Sequence, residues 1–224
     1  MTNFIQQNWS LLYKKQKAIR QRFPSIWNVP LKRRHTDLLI EWLQPGLSVL
    51  EIGASDRNIL QKIDVSSHNV DYMSLDCDET LPHDFRSLDE VHRTFDQIWM
   101  FEVLEHLELE EGHQILTGAW RVLEPGGVLI LSTPNGHHPH RFREPHHLTP
   151  FKYDNLGAIL ELAGFDVEQI YRAYNAPFVQ KISHRFLLNW LHRFLELDFA
   201  HTLLAVARRP AGSRTPTENA QERP

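Results

Sequence analysis

A single cysteine, Cys77, stands in the 224 residues, which excludes an internal disulfide framework and fits a reducing compartment. No stretch is apolar for long enough to span a bilayer, and the start, M-T-N-F-I-Q-Q-N-W-S, lacks a basic segment followed by an apolar one. The cytoplasm is therefore the expected location. Positive charge is not in excess: 24 Lys and Arg face 28 Asp and Glu, and the net charge of -4 argues against a chain held on nucleic acid by overall charge. No internal repeat is evident. The 42% hydrophobic and 23% charged content suits a soluble globular chain with one sizeable core.

Against those absences, the stretch Ser48 to Ser55, S-V-L-E-I-G-A-S, organises the chain. Val49, Leu50 and Ile52 form an apolar run that Pro45-Gly46 delivers from a turn. It ends on Glu51 and Gly53, and a short helical pattern follows at Asn58, Ile59, Leu60 and Ile63. A strand that stops on glycine before a helix matches the first βα turn of a doubly wound nucleotide-binding sheet. A second run, Val70 to Leu75, ends in Asp76, where a carboxylate can accept hydrogen bonds from ribose hydroxyls. A third, F-D-Q-I-W-M-F-E, ends in Glu102 and continues as V-L-E-H-L; a fourth, V-L-I-L-S-T-P-N, follows L-E-P-G-G and ends at Asn135. The expected fold is α/β: a Rossmann-like doubly wound sheet, mostly parallel with an antiparallel last strand, and helices on both faces.

The order of these pieces resembles the class I S-adenosylmethionine-dependent methyltransferases, in the small-molecule branch that carries F-D-x-I-x-x-x-E-V-L-E-H-L and L-x-P-G-G-x-L-I-x-S-T-P-N. The resemblance runs from about Leu47 to about Ala207 and implies S-adenosylmethionine as cofactor. It implies that Glu51 and the Gly53 backbone hold the methionine end, with Ser55 beside them, that Asp76 and the adjoining Cys77 meet the ribose, that Asp84 meets the adenine, and that Glu102 lies near the methyl group. His106, Asn135 and His147 would line the acceptor side. The first motif departs from the family: Ser55 and Arg57 stand where further glycines are usual. That altered turn leaves two readings open, a changed backbone approach or an Arg57 that reaches the cofactor carboxylate. The implied reaction is an in-line displacement at a sulfonium methyl, in which the protein chiefly aligns the nucleophile and excludes water.

Between Asp76 and Phe95 the chain is too short for a full crossover, so P-H-D-F-R-S reads as a stub of a third strand, and Ser87 with Glu90 as a capping box. Five histidines, His137, His138, His140, His146 and His147, crowd the loop after the fourth strand. No carboxylate or cysteine stands near them at a spacing that would fix a ligand set, so no metal is assigned. His146 is the candidate general base, just before Thr149, read as a cap, and Pro150, read as a helix opener. That helix stops at Gly164, and the strands F-D-V-E-Q-I-Y and H-T-L-L-A-V-A follow.

Three regions flank this plan. Residues 1–43 read as an N-terminal helical cap, with a second helix over Leu31 to Leu43 and with Trp9, Tyr13 and Trp27 as core or lid residues. The domain spans 44–209 with a helical insertion at about 175–198. The apolar stripe from Phe178 to Leu195 has three open readings: a helix over the cleft, a dimer surface, or an interfacial helix giving peripheral membrane contact. From Pro210 the tail cannot build a core and reads as disordered. The acceptor expected is a small molecule, lipid or glycan methylated on oxygen or nitrogen, with the chain a monomer or homodimer. The alternative is a scaffolding protein that has lost turnover. Nucleic acid is not the expected partner, since no RNA-binding module, aromatic RNP-type motif or Asn-Pro-Pro-Tyr-like segment occurs.

Overall fold

Alternation along the strands decides the layers. Leu50, Ile52, Ile98, Met100, Leu129 and Leu131 point to one face, and Val49, Trp99, Val128 and Ile130 to the other, so the strands are buried on both sides. Such a sheet needs helices on both faces. The computed structural model describes residues 4–32, 34–63, 68–142, 144–174 and 189–212. Its helices are α1 (Phe4–Gln7), α2 (Trp9–Arg22), α3 (His35–Trp42), α4 (Asn58–Lys62), α5 (Leu109–Val122), α6 (Tyr153–Leu162) and α7 (Asn189–Phe194). Its strands are β1 (Leu31–Lys32), β2 (Ser48–Ile52), β3 (Asp71–Leu75), β4 (Phe95–Phe101), β5 (Leu123–Pro134), β6 (Asp166–Ala173) and β7 (Thr202–Arg208). Among the described residues no helix is long and apolar enough to cross a membrane.

The seven strands run in the order β1-β6-β7-β5-β4-β2-β3. β2, β3, β4 and β5 pair in parallel, while β7 is antiparallel to both β5 and β6. The expected α/β architecture is present, with its reversed last strand. The third-strand stub is also there, reduced to one parallel bridge between Leu75 and Phe85. Asp84 ties it down by accepting from the Ser74 N–H and hydroxyl, both at 2.8 Å.

The N-terminal segment is woven into the sheet and its helices. Leu31 and Lys32, read from sequence as the start of a helix, form an edge strand because the Arg172 N–H donates to the Pro30 carbonyl and the Tyr174 N–H to the Lys32 carbonyl. The helix begins only at His35. α2 lies along α6, where Gly157 makes room: a Cβ there would stand 2.8 Å from the Ile19 side chain. Tyr153 Oη donates to the Phe23 carbonyl, Gln16 to Asn155, and Lys15 pairs with Glu161 across the same seam. Trp9 and Tyr13 face solvent, contrary to the core packing expected of them, since α2 buries its Leu12 and Ile19 stripe instead. Trp27 does pack on the core, under the Arg172 guanidinium.

Three further boundaries differ from the sequence reading. Thr149 does not cap α6: its hydroxyl donates to the Leu107 carbonyl, and the helix opens three residues later behind Lys152. Ser87 makes no side-chain cap, because Glu90 reaches past it to accept from the Arg86 N–H, and only a 3₁₀ turn, Leu88–Glu90, forms. Glu105 and His106, which the sequence places one turn into the next helix, lie instead in another 3₁₀ turn, Leu104–His106, ahead of α5. Gly164 stops α6 as expected, at φ +94°, with the Phe165 N–H donating to Leu160 and the Gly164 N–H to Glu161, a Schellman closure. Residues 175–188 of the apolar insertion and 213–224 of the tail lie outside the described residues.

Candidate active site

The carboxyl ends of β2, β3, β4 and β5 meet on one side of the sheet, the edge at which open α/β sheets bind ligands. A cleft of about 920 Å³ opens there, lined among others by Glu51, Gly53, Ser55, Glu102, Ser132 and His201. Gly53 carries the turn. Its φ is +73°, and a Cβ would stand 2.4 Å from Val103 Cγ2, so both backbone and space demand glycine.

Ser55 and Arg57 occupy left-handed backbone at φ +44° and +57° without being glycine. Such residues cost strain unless neighbours hold them. Here they are held. The Ser55 N–H donates to Asp76 Oδ2 at 2.7 Å, and Arg57 donates to the Ser74 hydroxyl (2.9 Å from Nη2) and to the Pro82 carbonyl. The turn keeps a glycine-like path by pinning two side-chain-bearing residues. Arg57 is thereby committed to the third-strand stub and is absent from the cleft lining, so of the two sequence readings the one that sends it to a cofactor carboxylate gains no support.

Glu51 is buried below the turn, and Tyr72 donates its hydroxyl to it. Burial raises its pKa to about 7, against the opposing pull of the Tyr72 hydrogen bond and the Arg57 charge. Asp76 accepts the N–H groups of Ser55 and Asp78 (2.7 and 2.9 Å), one on each oxygen. A carboxylate offers about four acceptor positions, so capacity remains for a diol.

At the end of β4, Glu102 sits in left-handed backbone at φ +53° and takes the Ser132 hydroxyl at 2.6 Å. Three residues on, Glu105 is fully buried; Oε2 accepts from the Thr133 hydroxyl at 3.2 Å, among the described residues Oε1 has no N–H or hydroxyl donor, and the carboxyl shares a hydrogen bond with that of Glu102. Burial, then the nearby Glu102 charge, pushes its pKa up to about 8. The loop 146–149 folds against this turn: the Leu148 and Thr149 N–H groups donate to the Glu105 carbonyl at 2.7 and 3.1 Å. His147 thereby stacks edge-on against His106, centroids 5.1 Å apart.

The remaining expected residues separate into those at the cleft and those elsewhere. His146 is exposed, and it is His147 that the fold brings to His106 and Glu105. Asn135 is fully buried and spent on structure: its amide nitrogen donates to Asp198 and the Ala200 carbonyl, and its oxygen accepts from the His137 N–H. Asp198 also pairs with Arg172 at 3.0 Å, both buried. Asp76, the exposed Cys77 beside it and Asp84 do not line the cleft themselves; Asp76 reaches it through the Ser55 N–H that it accepts. His137 and His138 are buried in packing, against Tyr153 and His201 respectively. Glu105 and Ser132 were missed as site residues although both stand inside the recognised motifs; their signal was position, Glu105 three residues past Glu102 and Ser132 on β5 opposite Phe101.

Buried acid at the β2 end, an acid with spare acceptor positions at the β3 end, and a glycine turn between them suit a ligand with a cationic amino acid end and a ribose. Residues 20–170 match a family described as methyltransferase domain. Over 94 residues the chain is 33% identical to a Mycolicibacterium smegmatis (strain ATCC 700084 / mc(2)155) protein named "Probable S-adenosylmethionine-dependent methyltransferase". That match covers 40% of this chain and 36% of that protein, so the chain spans about a third of the length of the curated relative it matches. Among solved structures, an S-adenosylmethionine-dependent methyltransferase from Archaeoglobus fulgidus superposes with a TM-score of 0.61 at 16% identity, covering 77% of this chain and 92% of that one. The cyclase SpnF superposes with a TM-score of 0.57 at 17% identity, covering 79% and 80%. These two likenesses concern the fold.

Proposed function

Because the chain belongs to the methyltransferase-domain family, within the class I S-adenosylmethionine-dependent methyltransferases, we propose that it methylates an oxygen or nitrogen of a small-molecule, lipid or glycan acceptor. The observation that carries this reading is the set of carboxylates at neighbouring strand ends: Glu51 and Glu102 line the cleft, and Asp76 stands behind the Gly53 turn, where it accepts the N–H of the cleft residue Ser55. Each has a task there. Glu51, with the Gly53 to Ser55 backbone, would receive the methionine ammonium; Asp76 would take the ribose hydroxyls; Glu102, anchored by Ser132, would border the reacting methyl. The cofactor supplies an electrophilic methyl on a good leaving group. The protein's share is alignment of the acceptor and exclusion of water, worth several powers of ten in rate.

A second reading is a fold that retains its cleft but serves another end, as the name of the cyclase SpnF indicates for that protein. The Ser55 and Arg57 turn does not separate the two readings, since its backbone is held by Asp76, Ser74 and Pro82 and both readings keep the cleft. Transfer of labelled methyl from S-adenosylmethionine to a panel of hydroxyl and amine acceptors tests the proposal. Label in an acceptor supports it; binding of the donor with no transfer to any acceptor favours the second reading.

A further inference from the structure

Glu105 and His106, adjacent in sequence, converge in space with His147, 41 residues beyond His106. One oxygen of Glu105 and one ring nitrogen each of His106 and His147 all lie within 4.8 Å of one another. Two independent features of this cluster point to a ligand. Glu105 is fully buried; Thr133 satisfies its Oε2, among the described residues Oε1 has no N–H or hydroxyl donor, and its carboxyl shares a hydrogen bond with a second acid, Glu102, an acid pair that a cation would relieve. His106 is oriented from behind: its Nδ1 lies 3.3 Å from the His146 carbonyl, and in the neutral tautomer that donates there Nε2 keeps the lone pair that binds a metal. A backbone carbonyl on the far nitrogen is the arrangement that fixes metal-binding imidazoles.

We propose that Glu105, His106 and His147 bind a divalent first-row transition metal ion beside Glu102, the acid that borders the cleft. Two imidazoles and a carboxylate favour zinc or manganese over magnesium, which prefers oxygen ligands throughout. His106 is exposed and His147 half-buried, so three protein ligands would leave a coordination position open to solvent and acceptor, as catalytic metal sites do. The two backbone hydrogen bonds from Leu148 and Thr149 to the Glu105 carbonyl hold the two ligand segments together without the ion. One loop histidine, His147, gains the carboxylate that no local spacing supplied.

The consequence for chemistry rests on the methyltransferase reading. An acceptor hydroxyl beside the ion would have its pKa lowered. It would release its proton to solvent as its oxygen takes the methyl group and the sulfonium becomes a neutral thioether. The acceptor would then be an oxygen nucleophile.

The full chain, stripped with a chelator, is titrated with zinc, manganese and cobalt by calorimetry, with cobalt followed by visible absorption. Glu105→Gln, His147→Ala and, as a control on the same loop, His140→Ala are titrated alongside. The expected result is one ion per chain, weakened at least ~10-fold in the first two variants, by analogy with the loss on disturbing a metal site's supporting groups, and unchanged in the control. Absence of one-to-one binding, or equal binding by all variants, overturns the site. S-adenosylmethionine is titrated separately into the stripped protein. Donor binding without metal binding defeats the metal site alone, whereas metal binding without donor binding defeats the methyltransferase reading and leaves the site standing.

Discussion

Glu51→Gln should make the free protein more stable at mildly alkaline pH while weakening its hold on the donor. The Glu51 carboxyl lies buried at the end of β2, with the Tyr72 hydroxyl on it and Arg57, Asp56 and Asp76 as the charged neighbours that act on it. Burial dominates and raises its pKa to about 7, from an ordinary value of 4.5. For an acid the sign is as follows. In that window the folded chain keeps a proton that the unfolded chain has lost, so stability falls as pH rises and levels off above the folded pKa. At about 1.4 kcal/mol per unit the loss is on the order of 3 kcal/mol. A glutamine cannot ionise and can still accept from Tyr72. Urea unfolding followed by tryptophan fluorescence at about pH 5 and about pH 8 should therefore show the variant gaining roughly 2–3 kcal/mol on the parent between the two conditions. Equal pH slopes for the two proteins would refute the reasoning, because Glu51 would then be ionised in the fold already.

Gly53→Ala should cost about 1–2 kcal/mol from left-handed backbone alone and more from the clash with Val103, and should weaken donor binding measured by calorimetry. Asp198→Ala should destabilise the chain by about 3–5 kcal/mol in urea unfolding, since it leaves the Arg172 charge buried and unpaired and frees the Asn135 amide. His147→Ala should slow methyl transfer much more than His146→Ala, measured as kcat on a shared acceptor, because His147 is the histidine folded toward Glu105.

Much of the plan was legible because apolar runs ending in acids leave few alternatives in a parallel sheet. β2 to Gly53, β3 to Asp76 and β4 to Glu102 all read directly, and even the shortened third strand showed in the few residues between Asp76 and Phe95. What stayed hidden was set by partners distant in sequence. Leu31 and Lys32 have no strand signature of their own and become one by pairing with Arg172 and Ala173. Asn135 resembles a cleft residue by position, but Asp198 and Ala200, 63 and 65 residues away, claim its side chain. Adjacent histidines point apart, so the choice between His146 and His147 depends on how loop 146–149 docks on the Glu105 carbonyl. The missing glycines at Ser55 and Arg57 suggested an altered turn, and only the side chains of Asp76 and Ser74 reveal how the same backbone is kept.

The central claim is that this turn and its carboxylates hold S-adenosylmethionine. Calorimetric titration of the full chain with S-adenosylmethionine and S-adenosylhomocysteine, beside Asp76→Ala, tests it most directly. The account predicts one-site binding of both ligands, weakened ~10-fold or more in the variant by loss of charge-assisted hydrogen bonds. No heat from either ligand, or undiminished binding by Asp76→Ala, would contradict it.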